Sequence, residues 1–390
     1  MDRYITQEQA GRYEQFLHFA KQNVVQRASS WEKEEAIPRA IIEACAAAGY
    51  LGATIPQEYG GMGWDIVTYG LLNEAIGGAS VSLTGLLNVH TMVAQTLLKW
   101  GSDEQKQRWL PALASGQLVS VFALTEPGAG SDIQALTTRY SRSHDDFLIK
   151  GTKKWITFAG AADLFLIFGK LDDAPVAALI ERDTPGLRVV PIRGMLGFKA
   201  AHLARLELND CRIPSRNLIG KPGFALTCIA PYALDYGRIS VALAALGLLR
   251  ASLEISGRYS LGRESFGSRL IDHGTISAMI ADMGVDLEAA RLLCIEACRA
   301  KDAGLADAAE KIMIAKYFTC KSAAHHVAHA VQILGALGCN EDFPLARFYR
   351  DAKTMEIIEG SNQIHQFLLG KSFARKQKNR KTTQAVTSNE

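Results

Sequence analysis

"DFLIKGTKKWITF", Asp146 to Phe158, interrupts a chain that otherwise reads as helix. It is short, rich in β-branched and aromatic residues, and alternates in strand fashion across "KKWITF". The runs around it share its character: "SVFALTE", "DLFLIFGKL", "PVAALIE", "LRVVPI" and "LARLELNDCRIP". Turn signals such as "HDD", "LDDAP" and "DTPG" separate them, with no long helical pattern between. That spacing predicts an antiparallel sheet domain over 119–226 and excludes a βαβ array. Outward from it the periodicity changes. On the N-terminal side, to about Leu118, "PRAIIEACAAAGYLGA" and "VHTMVAQTLLKWG" read as helices ending near glycine. On the C-terminal side, from about Thr227, helices resume. Ile276, Ile280, Met283, Leu287, Ala290 and Cys294 trace one apolar stripe. The class is α+β: a helical domain over 1–118, the β domain, and a second helical domain over 227–370.

The 390 residues are 48% hydrophobic and 21% charged, an ordinary water-soluble composition. Charge is unevenly placed. Six basic residues lie between Lys371 and Lys381, and the chain ahead of them carries a slight acidic excess. A nucleic-acid-binding body is therefore not expected. The segment 371–390 reads as a solvated, disordered basic tail, or as a docking element for an acidic partner. Seven dispersed cysteines without a CxxC pair fit reduced thiols in a cytoplasmic protein. Cys294 and Cys298 read as packing. The N-terminus lacks signal-peptide character. The apolar run "ISVALAALGLL" stops at Arg250, too short for a membrane span.

Several stretches bear chemistry. In "EIIEGSNQIH", Glu359 follows two isoleucines and precedes Gly360. Apolar walls raise a carboxyl pKa, as a general base requires, and the glycine lets a ligand come close. The plainer account is a helix ending near Gly360 with Glu359 in its last turn. "FALTEPGAGSD" leaves a strand for a Gly/Pro turn, where backbone N–H groups and the hydroxyls of Thr125 and Ser131 can bind polar ligand atoms. It is neither a P-loop nor a dinucleotide fingerprint, and a plain turn serves as well. Trp155 and Thr157 fall on one strand face, suiting a large aromatic ligand or a core. In "SLGRESFGSRLIDH", Arg263 near a helix end with Phe266 close by suits a pyrophosphate or a surface ion pair. "VAHAVQILGALG" offers Gln332 and Gly335. The histidines of "HHVAH" (His325, His326, His329) have metal-like spacing, but no carboxylate within a turn, and read as structural.

In this order and at these distances, the pieces together resemble the acyl-CoA dehydrogenase family from near the start to about Gly370. "GGMGWD", "GSDEQKQRWLPALASGQ", "FALTEPGAGSD", "KKWITF", "RESFGSRLIDH", "AVQILGALG" and "RDAKTMEIIEGSNQIH" carry the resemblance. It implies a C-terminal four-helix bundle, bound FAD, and a homo-oligomer, dimer or tetramer, in which the dinucleotide reaches a neighbouring subunit. Thr125, Trp155 and Thr157 would surround the flavin ring. Arg263, Phe266, Gln332 and Gly335 would hold pyrophosphate and adenine. Ser361 and Gln363 would also reach the cofactor, and Ser131 the pantetheine side of the substrate. Glu359 matches the catalytic base, which removes the α-proton of an acyl thioester while the β-hydrogen leaves as hydride to flavin N5. The flavin ribityl 2′-OH and the base's own backbone N–H would polarise the thioester carbonyl. Some members carry the base on an earlier helix. Here that place, in "DYGRIS", is Gly237, with Arg238 beside it matching an arginine near the active site.

"ITFA", "GFKAAHLARLEL" and Ile358 depart from the commoner pattern. "AKTMEIIEGSNQ" and "ERDTPGLRVVP" look more like the branch acting on thioesters of acyl carrier protein, which serves polyketide and nonribosomal peptide pathways. Its substrates are hydroxy- or amino-substituted as well as plain acyl groups, and a basic tail would suit an acidic carrier. The alternatives are an ordinary catabolic acyl-CoA dehydrogenase, a flavin oxidase or monooxygenase on the same fold, and a catalytically silent carrier-binding module. Electron-transfer flavoprotein is the family's usual acceptor.

Overall fold

The computed structural model describes residues 4–387, with side chains through Lys378. The first six helices are α1 (Gln7–Asn23), α2 (Ala28–Glu34), α3 (Arg39–Ala47), α4 (Ile66–Gly77), α5 (Val81–Trp100) and α6 (Asp103–Ala114). Short polar residues start the later ones: Asp65, Ser80 and Ser102 accept the N–H of Thr68, Leu83 and Gln105. Every residue of α4 is buried, as is α5 from Val81 to Leu97. These near-continuous apolar helices are the core of the molecule.

The strands are β1 (Ser120–Ala123), β2 (Arg139–Ser143), β3 (Asp146–Ile156), β4 (Leu164–Leu171), β5 (Ala174–Glu181), β6 (Leu187–Pro191) and β7 (Ala204–Pro214). Their order is β1-β4-β2-β3-β7-β6, with β5 also on β4. The expected antiparallel pairing holds for β2–β3, β3–β7, β4–β5 and β6–β7. The sheet as a whole is mixed, however, because β4 runs parallel to β1 and to β2. Local alternation cannot show this. The long Gly/Pro connection after β1 carries the chain to β2 in β1's direction, and after the β2–β3 pair β4 inserts between β1 and β2, parallel to both.

Beyond a π-helical turn at Ala225–Ile229 come α7 (Ala230–Gly262), a hairpin of β8 (Glu264–Ser265) and β9 (Ser268–Arg269), then α8 (Gly274–Asp302), α9 (Ala308–Leu334), α10 (Pro344–Met355) and α11 (Asn362–Thr387). The expected stripe on α8 is buried at Met283, Leu287, Ala290 and Cys294. Helix α9 stops where expected, with Gly335 at φ 59. Two helical stretches, Val81–Trp100 and Ala225–Gly262, are long and apolar enough to cross a membrane. The second runs well past the short apolar run noted in the sequence. Their most apolar 18-residue windows are 94% and 78% buried inside the protein, as core helices are.

Of the disordered tail expected over 371–390, the residues through Thr387 instead continue α11, and 388–390 lie outside the described residues. Ser372 and Lys376 both bond to Glu310 of α9, which anchors the first turns past Gly370. Composition shows the charge of such a segment but not the acid that neutralises it.

Candidate active site

Glu359 lies beyond the end of α10, in the turn leading to α11, and not in a last helical turn. Its φ is 54 and that of Gly360 is 92, two successive left-handed residues. Glutamate adopts this conformation at a cost, and such residues gather at functional sites. Glu356 staples the turn: its carbonyl accepts the Asn362 N–H at 2.9 Å and its Oε1 accepts Asn362 Nδ2 at 3.1 Å. Lys316 Nζ donates to Gly360 O at 2.8 Å and Arg238 Nε to Glu359 O at 3.4 Å. A side chain at Gly360 would also press on His365.

The carboxylate is thereby held against α5 and α7. A Cβ at Gly237 would overlap Glu359 Oε2, so the glycine on α7 makes room for the acid on the later turn. Asn88 Nδ2 on α5 donates to Oε1 at 3.2 Å. Part of Glu359 reaches solvent, but Oε2 is buried and has no hydrogen-bond partner among the described residues. Burial raises its pKa above the ordinary glutamate range; Arg238, Asn88 and Lys316 oppose that in part. No backbone acceptor among the described residues takes the Glu359 N–H, which is free to donate to a ligand.

One helical turn earlier on α5, Gly85 abuts the end of β3. A Cβ there would stand 3.0 Å from Thr157 and 3.8 Å from Phe158 and Phe198. Trp155 and Thr157 do not simply share one strand face, as the alternation predicted. β3 ends at Ile156, its register shifts between Lys153 and Ile156, and Trp155 sits in the bulge at φ 62. The bulge leaves Trp155 45% exposed, whereas Trp31 and Trp109 are buried and Trp64 and Trp100 are partly so. Phe158 and Phe198 are left-handed too. Thr125 meets this group through its carbonyl, which accepts the Lys154 N–H at 2.9 Å. Ser131 is exposed on the turn that follows, where Gly128 and Gly130 face open space.

Sequence reasoning missed what fixes that turn. Glu126 accepts from Thr137 N and Oγ1, Thr138 N and Oγ1, and Lys153 Nζ at 2.7 Å. Both partners of the Lys153–Glu126 pair are buried. Burial works against the Glu126 charge, but Lys153 and the threonines outweigh it and hold the carboxyl at about 2. The signal was a charged residue, Lys153, at an inward-facing position of β3.

Arg263 caps the C-terminal end of α7, as expected. Phe266 and Gly267 form the tight β8–β9 turn at φ 53 and 80, and Phe266 is 99% exposed. Gln332 and Gly335 are exposed at the end of α9. This second group is remote from Glu359. Arg238 and Lys316, which touch the Glu359–Gly360 turn, lie near the starts of α7 and α9. At 1.5 Å per helical residue, Arg263 is about 38 Å further along α7 and Gln332 about 24 Å along α9. Ser361 starts α11, its Oγ accepting the Ile364 N–H, and Gln363 is exposed. The three histidines do converge, their ring nitrogens lying within 4.8 Å. Asp286 of α8 meets His326 Nε2 at 3.0 Å, a carboxylate that spacing along one helix could not reveal, and the pair ties α9 to α8.

Residues 6–117, 121–211 and 228–373 match, in turn, the N-terminal, middle and C-terminal domains of acyl-CoA dehydrogenase. An acyl-CoA dehydrogenase of Bacillus subtilis (strain 168) is 35% identical over 376 residues, 94% of this chain and 98% of that one.

The chain belongs to the acyl-CoA dehydrogenase family.

It is thus an FAD-dependent oxidoreductase acting on CH–CH groups. Among solved structures, butyryl-CoA dehydrogenase from Megasphaera elsdenii matches with a TM-score of 0.92 at 29% identity, covering 96% of this chain and all of that one. The prolyl acyl carrier protein oxidase AnaB matches at 0.89 and 27%, covering 95% and 99%. FkbI, for biosynthesis of the methoxymalonyl extender unit of a polyketide, matches at 0.85 and 30%, covering 93% and 99%. The residues present fit the family's flavin. An exposed tryptophan held in a left-handed bulge, threonines beside it and an open glycine turn suit a flat ring, and Thr157 at the bulge packs on Gly85, one α5 turn before the Asn88 that meets Glu359.

Proposed function

We propose that this acyl-CoA dehydrogenase family member oxidises a short acyl thioester, with Glu359 as the base that takes the α-proton. The observation that carries this is Glu359 Oε2, buried without a partner beside a side-chain-free Gly237. Its raised pKa gives it the proton affinity a weak carbon acid demands. The free Glu359 N–H would polarise the thioester carbonyl as enolate charge develops. Bound FAD supplies the hydride acceptor. Thr125, Trp155 and Thr157 would hold its ring, and Ser131 would lie on the pantetheine side. Ser361 and Gln363 would reach the cofactor, and Gly360 and Arg238 would shape the substrate end.

Arg263, Phe266, Gln332 and Gly335 stand too far along the bundle to serve the flavin beside their own Glu359. They would hold the dinucleotide of a partner subunit, which supports a homo-oligomer. A fully exposed phenylalanine in a left-handed turn is costly unless something covers it. Arg263→Ala is expected to weaken FAD retention about tenfold or more, the worth of a charge-assisted hydrogen bond; the flavin-to-protein absorbance ratio after gel filtration measures it.

The carrier we favour is acyl carrier protein. The fold's likeness to AnaB and FkbI supports this, as do the exposed basic residues Lys371 and Arg375 on α11, which would suit an acidic carrier. Anaerobic titration tests the reading by flavin absorbance, with one acyl group offered on CoA and on carrier protein. Bleaching by the carrier-bound form alone supports it. Bleaching by the CoA ester alone overturns the carrier and restores ordinary acyl-CoA oxidation. Admitting air afterwards separates an oxidase from a dehydrogenase that needs electron-transfer flavoprotein.

A further inference from the structure

Away from Glu359, one set of side chains among the described residues brings its ligand atoms together as a metal site does. It is His325, His326 and His329 on α9. The ring centroids stand 4.3 Å apart for His325–His329, 4.9 Å for His325–His326 and 5.6 Å for His326–His329. One nitrogen from each ring lies within 4.8 Å of the others. The rings grade inward from the surface: His325 is exposed, His329 half-buried, and His326 only 2% exposed. An ion would reach the buried ring past the exposed one, with no need of a separate channel.

The hydrogen bonding of His326 shows which nitrogen is open. Its Nε2 meets Asp286 Oδ2 at 3.0 Å. A carboxylate oxygen accepts, so Nε2 carries the hydrogen and the lone pair of the neutral ring falls on Nδ1. That Nδ1 is buried and has no partner, and neither has the buried Nδ1 of His329. Purely structural histidines would satisfy these nitrogens, as buried polar atoms normally are. A carboxylate on the far nitrogen is how a metal-bound imidazole is oriented and made more basic. Asp286 is itself held by Ser322 Oγ at 2.9 Å. Spacing along α9 offered no such carboxylate; α8 supplies it.

We propose that His325, His326 and His329, with Asp286 orienting His326, form a binding site for a divalent transition-metal ion of the zinc class. Imidazole nitrogens suit zinc, nickel and copper, whereas magnesium and calcium want oxygen. At Zn–N distances of about 2.0–2.1 Å, tetrahedral ligand atoms stand about 3.4 Å apart. The set closes to that spacing by turning the less buried His325 and His329 rings, because histidine χ2 is broad. Asp282, one α8 turn before Asp286, is near enough to act on the His329 charge and would supply the fourth ligand, directly or through water. The ion has a bracing role and takes no part in the reaction. His326 lies about 15 Å along α9 from Lys316, which holds the Glu359 turn. It lies one to two turns before Gln332, so the ion would fix α9 against α8 just ahead of that exposed end.

The test uses the FAD-loaded protein, stripped with a chelator, dialysed, and titrated with zinc chloride by calorimetry. One ion per chain is expected, and saturating zinc should raise Tm. His325→Ala removes an exposed ligand without opening the core. It should match the zinc-free wild type in Tm and bind zinc at least about tenfold more weakly; Asp286→Asn, which keeps the shape of the orienting group, should weaken zinc about 10–100-fold. Failure of the wild type to take up zinc overturns the site. So does uptake that is equally tight in both variants, which would put the ion elsewhere. If the histidines only pack α9 onto α8, Asp286→Asn lowers Tm by the same amount with and without zinc, and that result overturns the proposal as well.

Discussion

Glu126 in the β domain and Glu359 between α10 and α11 are both drawn away from water, yet their surroundings treat them oppositely. Glu126 accepts two threonine hydroxyls, two backbone N–H groups and the Lys153 ammonium. Glu359 accepts one amide at 3.2 Å and keeps an oxygen unpaired. The first carboxyl is held at about 2, while the second is pushed above its ordinary range by burial. Satisfied donors make a buried acid a fastener, whereas their absence leaves it able to take a proton. Glu74 belongs with Glu126: Tyr13 and both guanidinium nitrogens of Arg291 meet it at 2.7 and 2.8 Å, pinning α1, α4 and α8 together.

The sharpest way to break the comparison is Glu359→Gln. Loss of the base should cut turnover about 10²–10⁴-fold while FAD stays bound; full activity in steady-state assays would end the assignment. The same change should raise Tm. A carboxyl with a raised folded pKa binds its proton more tightly when folded, so its stabilising effect belongs to low pH and is lost as pH rises through the folded pKa. Ionised at neutral pH it costs stability, and the amide removes that cost.

Glu126 should show the reverse. Lys153→Met strands its carboxylate, and about 3–5 kcal/mol should go from denaturant unfolding. Adding Glu126→Gln should restore much of that loss. A single variant as stable as wild type would mean that the threonines alone suffice.

Gly237→Ala sharpens the geometry without touching the charge. Its methyl group would push the Glu359 carboxylate aside, and a displacement near 1 Å costs about 10²-fold in rate. Single-turnover flavin reduction should fall while FAD content holds.

The smallest effect separates the two acids by pH. The Glu126 contribution to stability is whole above the ordinary glutamate pKa and is lost as pH falls toward about 2. Activity should fail at higher pH than that, as Glu359 takes up its proton. An acid limb of kcat/KM that coincides with acid unfolding would erase the distinction.

Periodicity and punctuation in the sequence determined the order of helix, sheet and helix, the buried stripe on α8 and the stop of α9 at Gly335. These are local properties, set by which face is apolar and by where glycine and the capping residues stand. The glycine after Glu359 and the missing side chain at Gly237 were legible too, because absence of a Cβ is written in the chain. What remained belonged to contacts between residues far apart in the sequence. Only tertiary structure decided that β4 runs parallel to β1 and β2, that a bulge turns Trp155 outward, and that Glu310 gathers in the start of the basic tail. It alone placed Asn88 and Gly237 on either side of a glutamate more than a hundred residues away. A carboxylate's proton affinity depends on how many donors reach it and how much water does not. Neither can be read along a single segment.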